Sequence, residues 1–118
     1  MIGWTLDQGE RAALLEQFVP RYDKVVAHHV TLATEAEGRD LPGSVRAEIV
    51  GRADDGVGVE ALVVAIDGVT LRPDGSTFHI TWSLGEGRRA RESNDVIRNP
   101  GWAKVEHPVA ATLTPARI

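Results

Sequence analysis

The sequence predicts an α+β fold, in which a curved, mostly antiparallel sheet is accompanied by few flanking helices. Most of its apolar segments have the length and alternation of β-strands, whereas residues 8–18 alone have a clear helical pattern. The connections between most strand-like segments are too short for helical crossovers, which favours antiparallel pairing. The chain has 118 residues and no linker or low-complexity tract, so we expect one domain spanning residues 1–118.

The predicted helix has recognisable start and stop signals. Asp7 is a suitable N-cap, and Glu10, three residues later, completes the pattern of a capping box. Pro20 ends the element because proline cannot continue a helix.

The strand-like segments occur along the whole chain. The sequence of residues 45–53 alternates between apolar and charged side chains, as a half-buried strand does, while residues 59–66 are apolar on both faces and predict a central strand. Asp-Gly pairs predict turns at residues 53–58 and 72–76. Residues 85–104 are expected to form a loop with at most one short helical turn. The predicted strands are residues 2–6, 24–33, 45–53, 59–66, 77–84 and 109–114.

The composition excludes several classes of function. A net charge of −4 argues against binding of duplex DNA, which requires a large basic face. The absence of cysteine excludes a disulfide framework, a thiolate nucleophile and a zinc ribbon. The sequence has no apolar run of 18 residues and no signal-peptide pattern at the N-terminus, so we expect a cytoplasmic protein without a membrane segment.

Two predicted strands carry the same short motif, histidine followed by any residue and threonine. It is found in AHHVTLA, residues 27–33, and in FHITWSL, residues 78–84. Alternation places His29 and Thr31 on one face of the first strand, and His79 and Thr81 on one face of the second. The opposite faces are bulky and apolar, so each strand offers the solvent one imidazole and one hydroxyl. If the sheet curves, these faces line a central groove between the two strands.

Two imidazoles across a groove suit phosphoryl chemistry. With an ordinary pKa near 6.5, one histidine can accept a proton from water while the other donates a proton to a leaving oxygen. Threonine hydroxyls can donate hydrogen bonds to phosphate oxygens. The sequence contains no HExxH motif, EF-hand loop or Cys/His cluster, so we expect a metal-independent site that uses no cofactor.

The two motifs, His29-Val30-Thr31-Leu32 and His79-Ile80-Thr81-Trp82, resemble the paired H-x-[ST]-x signature of the 2H phosphoesterase superfamily. This group includes the LigT-like RNA cyclic phosphodiesterases. The flanking text VVAHHVTLA and FHITWS is similar to the RNA-repair branch, including the cyclic phosphodiesterase domains of tRNA ligases, and RESNDVI at residues 91–97 also resembles that branch in part. The resemblance covers about residues 2–98.

The resemblance implies a curved sheet with two related halves around a groove. It implies that His29 and His79 form the acid/base pair and that Thr31 and Thr81 bind phosphate oxygens. The expected substrate is a 2′,3′-cyclic phosphate on a nucleotide or an RNA 3′-end. Two alternatives stay open: cleavage of cyclic oligonucleotide signals, as in some phage members, and a non-catalytic nucleotide-binding module. The chain is shorter than typical members, so either one lobe is trimmed or a partner chain covers a sheet face, as in a dimer.

Several residues outside the motifs are candidate substrate ligands. Arg88, Arg89 and Arg91 follow the second motif and form either a phosphate-binding loop or a solvated charged loop. Tyr22 is a candidate for stacking on a base, with edge packing as the alternative. By alternation, His28 is expected on the core side of its strand.

Overall fold

A computed structural model describes all residues, 1–118. It confirms the α+β class: eight strands, two α-helices and one turn of 3-10 helix. The second α-helix, α2, lies in the segment expected to be mainly loop. Neither α-helix has the length and apolar character of a membrane-spanning helix. The elements are β1 (Ile2–Leu6), α1 (Gln8–Gln17), β2 (Lys24–Val25), β3 (His29–Ala33), β4 (Ala47–Asp54), β5 (Val59–Ile66), β6 (His79–Leu84), the 3-10 turn (Ala90–Glu92), α2 (Ser93–Arg98), β7 (Ala103–Ala111) and β8 (Leu113–Arg117).

The strands form two sheets rather than the single curved sheet expected. The smaller sheet has the order β3-β1-β8, and the larger has the order β2-β6-β5-β4-β7. All pairings between neighbouring strands are antiparallel. As expected, β5 is the central strand of its sheet, and every one of its residues is buried.

The chain passes between the sheets inside two segments that were each predicted to be one strand. Residues 24–33 divide at Ala27, a non-glycine residue with φ of 44°. Before this point the segment pairs with β6, and after it the segment pairs with β1. Residues 109–114 likewise divide at Thr112, between β7 and β8. A switch of partner sheet depends on tertiary contacts and has no local sequence signal here.

The crossing at Ala27 is held by hydrogen bonds. The Ala27 N–H donates to the carbonyl of Thr81 at 3.0 Å. The Arg11 side chain on α1 donates to the carbonyls of Ala27, at 3.0 Å, and of Val26, at 3.2 Å. Because Ala27 itself is fully buried, these bonds satisfy backbone groups that water cannot reach.

Two hydrophobic clusters lie on opposite faces of the larger sheet. The main core joins both sheets and α1, with Val30, Ile80 and Trp82 among its fully buried members. The second cluster packs Val96 and Ile97 of α2 against the other face. Alternate residues of β3 and β6 enter the main core, and this fixes which side chains of these two strands face away from it.

Candidate active site

His29 is the first residue of β3 and His79 is the first residue of β6. Strand β2 pairs antiparallel with β6, so that Lys24 lies opposite Leu84 and Val25 lies opposite Ser83. The hydrogen bond from the Ala27 N–H to the Thr81 carbonyl continues this register. Beyond Ala27 the chain leaves β6 and pairs with β1, where His29 lies opposite Thr5. Burial and the charge of His28 lower the pKa of His29, and the positive charge of protonated His79 lowers it further. The two imidazoles are therefore electrostatic neighbours.

Both imidazoles lie on faces turned away from the main core. Val30 and Ile80, the residues that follow the two histidines, are fully buried in that core. Since successive side chains of a strand point to opposite faces, His29 and His79 point to the other side, where both are half-buried.

The imidazole of His79 is fixed by its own strand. Its Nδ1 lies 2.8 Å from the carbonyl oxygen of Thr77. A carbonyl can only accept, so Nδ1 carries the proton and the neutral ring presents an unprotonated Nε2. Burial lowers the pKa of His79, the Thr77 carbonyl raises it, and the charge of Arg72 lowers it further, with a net lowering.

The imidazole of His29 is positioned by its neighbour. The Nδ1 atoms of His28 and His29 are 3.1 Å apart, so one donates to the other and Nε2 of His29 is left for a substrate. Burial is the main cause of a lowered pKa for His29, followed by the charges of His28 and His79. His28 is exposed, so the expectation that it faces the core was wrong. The backbone turn at Ala27 breaks the alternation on which that expectation depended.

The smaller sheet offers a face of small polar groups beside His29. Thr5 of β1 pairs with His29 on one side and with Thr114 of β8 on the other. Gly3 pairs with Thr31 and stands so close to β3 that an added Cβ would lie 2.1 Å from the Val30 carbonyl oxygen. Thr31 is half-buried, and its hydroxyl has no protein partner, so it can donate to a ligand.

Thr81 is placed differently from Thr31. Its side chain is only 8% exposed, and its hydroxyl lies 3.2 Å from the carbonyl of Ala90 and 2.9 Å from the hydroxyl of Ser93. A hydroxyl has one proton, and the Ala90 carbonyl can only accept, so the proton of Thr81 is directed at that carbonyl. In this conformation Thr81 has no proton to donate to a phosphate oxygen.

Arg72 is a cation near the site that sequence reasoning missed. It lies in the turn before β6, where it is 8% exposed, and its charge acts on His79. Its Nη2 lies 2.7 Å from a carboxylate oxygen of Asp74, which holds the pKa of that carboxyl well below its usual range. The Arg-Pro-Asp-Gly sequence indicated only a turn, and nothing local linked it to the histidines.

The other predicted ligands have different surroundings. Arg88 donates to Asp55 at 2.7 Å and to Glu92 at 3.0 Å, so its guanidinium is already paired. The Tyr22 hydroxyl donates to Asp54 at 2.5 Å, and burial with this bond raises the pKa of Tyr22 to about 12. A turn carboxylate thus holds the Tyr22 hydroxyl, and stacking of its ring on a base stays a prediction.

Arg89 and Arg91 are both exposed, and neither forms an ion pair with a carboxylate. They line a cavity beside β2 and β6, together with Lys24 and Arg88. Neither imidazole lines the five main cavities of the surface. The cavity with Lys24 and the three arginines also contains Leu84, at the end of β6 opposite His79.

Three comparisons with known proteins give no match: no family model, no curated protein and no solved structure is similar to this chain. No group of three or more His, Asp or Glu side chains is placed to hold a metal ion.

Proposed function

We propose that this protein is a metal-independent phosphodiesterase that opens a 2′,3′-cyclic phosphate on a nucleotide or an RNA end. One observation carries the proposal: His29 and His79 are electrostatic neighbours on strand faces turned away from the main core, and each has its Nδ1 engaged within the protein. Two fixed imidazoles, each presenting Nε2, are the minimum equipment for concerted acid and base catalysis.

The reaction follows from that arrangement. The neutral imidazole accepts a proton from water at Nε2 while the water oxygen bonds to phosphorus. The bond between phosphorus and one ribose oxygen breaks, and the other histidine, protonated, gives its Nε2 proton to that oxygen. The product is a phosphomonoester, and exchange with solvent restores the starting protonation states. A positioned acid or base typically contributes about 10²- to 10⁴-fold in rate.

Two residues near the histidine pair, Thr31 and Arg72, would assist the reaction. The Thr31 hydroxyl is free to donate to a non-bridging phosphate oxygen. Arg72 is paired with Asp74, but its charge still acts on His79 and would favour negative charge on a pentacoordinate phosphate there. Lowered pKa values for both histidines make a neutral base easy to obtain and a protonated acid scarce above neutral pH.

A second candidate is a nucleotide-binding module without turnover. The observation that favours it is the hydroxyl of Thr81, whose proton is directed at the Ala90 carbonyl and not at the site. Such a module predicts that nucleotides raise the melting temperature by mass action, while no product forms.

The test is hydrolysis of 2′,3′-cyclic nucleotides in EDTA by wild type, His29→Ala and His79→Ala. His107→Ala is the matched control, because His107 is an exposed histidine on β7. We expect each site variant to lose about 10²-fold or more in kcat/KM, and the control to keep wild-type activity. Thermal melting of each variant shows that it is folded.

Three results decide between the candidates. Turnover that survives both histidine substitutions would overturn the proposed mechanism. Loss of turnover on adding EDTA would overturn metal independence. Stabilisation by a cyclic nucleotide with no product from cyclic mononucleotides, RNA ends or cyclic oligonucleotides would establish the binding module instead.

A further inference from the structure

We propose that the cavity between β2, β6 and the loop before α2 binds a second phosphate of the substrate strand, so that the substrate class is an oligonucleotide end rather than a mononucleotide. This inference rests on the proposed function and assigns the rest of the substrate. The cationic cavity, as we name it, is lined by Lys24, Arg88, Arg89 and Arg91, with Val26 and Leu84 as apolar wall.

The charge of the cavity is opposite to that of the chain. Its volume is about 560 Å³, and its lining has four cations and no carboxylate, whereas the whole protein has a net charge of −4. A local cluster of one sign concentrates ligands of the other sign, even on a protein of unfavourable net charge. An anionic ligand is therefore the chemistry that this surface recognises.

The four cations have different roles. Arg88 is tied to Asp55 and Glu92, so its charge is compensated and it fixes the loop. Lys24, Arg89 and Arg91 are exposed and form no ion pair with any carboxylate of the protein. Three cations are thus free to meet a ligand without first giving up a protein partner.

The position of the cavity defines which part of a substrate it can reach. Lys24 pairs with Leu84 five residues before His29, and Val26 lies three residues before it. Leu84 lies five residues after His79 on the continuous strand β6, so at about 3.3 Å per strand residue this wall of the cavity is roughly 17 Å from His79. A phosphate reacting between the imidazoles cannot also occupy the cavity, so the anion bound there is a different group.

A nucleic acid strand is the ligand that supplies both groups. It carries one phosphate per nucleotide, so a cyclic phosphate at its 3′-end and an upstream phosphate belong to one molecule. The cavity is also connected to the site, because Ala90, which lines it, accepts the hydrogen bond of Thr81. A cyclic mononucleotide has no second phosphate and leaves the cavity unused.

The experiment compares a 2′,3′-cyclic mononucleotide with a short RNA that has the same cyclic 3′-end. The test variant combines Lys24→Ala, Arg89→Ala and Arg91→Ala. The control variant, Lys104→Ala, removes an exposed cation on β7, far from the cavity. We expect the triple variant to lose at least about 10-fold more kcat/KM on the RNA than on the mononucleotide. We also expect its salt dependence on the RNA to be weaker, by a slope of about 0.7 for each phosphate that the variant no longer neutralises.

A binding measurement separates failure of this inference from failure of the proposed function. Anisotropy of a labelled RNA with a 3′-phosphate is read with wild type and the triple variant, and it needs no turnover. If no substrate is hydrolysed but the triple variant binds this RNA at least about 10-fold more weakly, the proposed function fails and the cavity assignment stands. If the mononucleotide is hydrolysed and the triple variant binds and cleaves RNA as wild type does, the cavity assignment is overturned. Binding of polyglutamate that depends on the three cations, with unchanged RNA binding, would also overturn it.

Discussion

The Nδ1 atoms of His28 and His29 lie 3.1 Å apart, and the charge of His28 is the largest cause, after burial, of the lowered pKa of His29. An exposed side chain outside the motif thus acts on a candidate catalytic group. It does so by fixing which nitrogen of His29 faces the substrate and by opposing its protonation.

Replacing His28 tests this relationship. In His28→Gln the like charge is gone, so the pKa of His29 rises. In the bell-shaped pH profile of kcat/KM for the free enzyme, one limb then moves to higher pH. The direction is the same whether His29 is the base or the acid, because either limb follows its pKa. His107→Gln serves as control, and a profile unchanged by His28→Gln would contradict the coupling.

The two lowered histidine pKa values also predict a pH dependence of stability. The folded protein binds protons at His29 and His79 less readily than the unfolded chain, whose histidines have an ordinary pKa near 6.5. The histidine contribution to the free energy of unfolding is therefore fully present above pH 6.5 and is lost as pH falls below it.

The measurement is urea denaturation between pH 7.5 and pH 5 for wild type and His79→Gln. We expect wild type to lose stability across this range and the variant to lose less. Asp54 and Asp55 do not obscure the effect, because the pKa of Asp55 is lowered to about 2 and the pKa of Asp54 is also lowered, so their contribution is lost at lower pH. Equal slopes for the two proteins would show that His79 is not buried as its neutral form.

Much of the site could be predicted because strand alternation is a local property. The motifs themselves indicate that Val30 and Ile80 enter the core, and both are fully buried. The position of His28 could not be predicted, since Ala27 adopts a positive φ that nothing in its own residue type favours. The local sequence predicts how a strand alternates, but not where the strand changes its partner sheet.

The surroundings of the charged candidates were equally hidden. Arg88 follows the second motif and reads as a free cation in the sequence, but its partner Asp55 is 33 residues away in another turn. Arg72 appeared to belong to an ordinary turn, and its effect on His79 depends on how that turn folds back on β6. Such pairings depend on tertiary structure, so a single sequence offers no basis for choosing which arginines remain free.

The two motif threonines should respond differently to removal of their hydroxyls. In Thr81→Val the buried Ser93 hydroxyl loses its partner, while the Ala90 carbonyl still accepts from the Ser93 N–H, so we expect a loss of about 1 to 3 kcal/mol in the free energy of unfolding. In Thr31→Val no hydrogen bond within the protein is removed, and the change should stay within about 0.5 kcal/mol.

Activity should give the reverse order for these threonines if Thr31 binds a phosphate oxygen. We expect Thr31→Val to lower kcat/KM by about 10-fold, as loss of one hydrogen bond to a charged group would. Urea denaturation and steady-state kinetics on both variants provide the comparison. A Thr31→Val protein with full activity would remove Thr31 from the proposed site.

The most buried charge of the molecule is at Glu60, away from both histidines. Its side chain is fully buried, and its carboxylate accepts from Arg52 at 2.5 Å, from the Ser83 hydroxyl at 2.7 Å and from the Arg21 N–H at 3.1 Å. Glu60→Ala would leave the fully buried Ser83 hydroxyl without its acceptor and the partly exposed Arg52 without its carboxylate, so we expect a loss of about 1 to 3 kcal/mol in the free energy of unfolding.

An exposed ion pair gives the matched control for Glu60. Asp95 and Arg98 pair at 2.5 Å on α2 with both side chains 75% exposed, so Asp95→Ala should cost less than about 1 kcal/mol. Chemical denaturation of the two variants measures the difference. Because Glu60 faces the opposite side of the larger sheet from α2, folded Glu60→Ala protein should keep the kcat/KM of wild type at low temperature. If its stability matched that of Asp95→Ala, the Glu60 cluster would not be an essential buried contact between β5, β6 and the segment after α1.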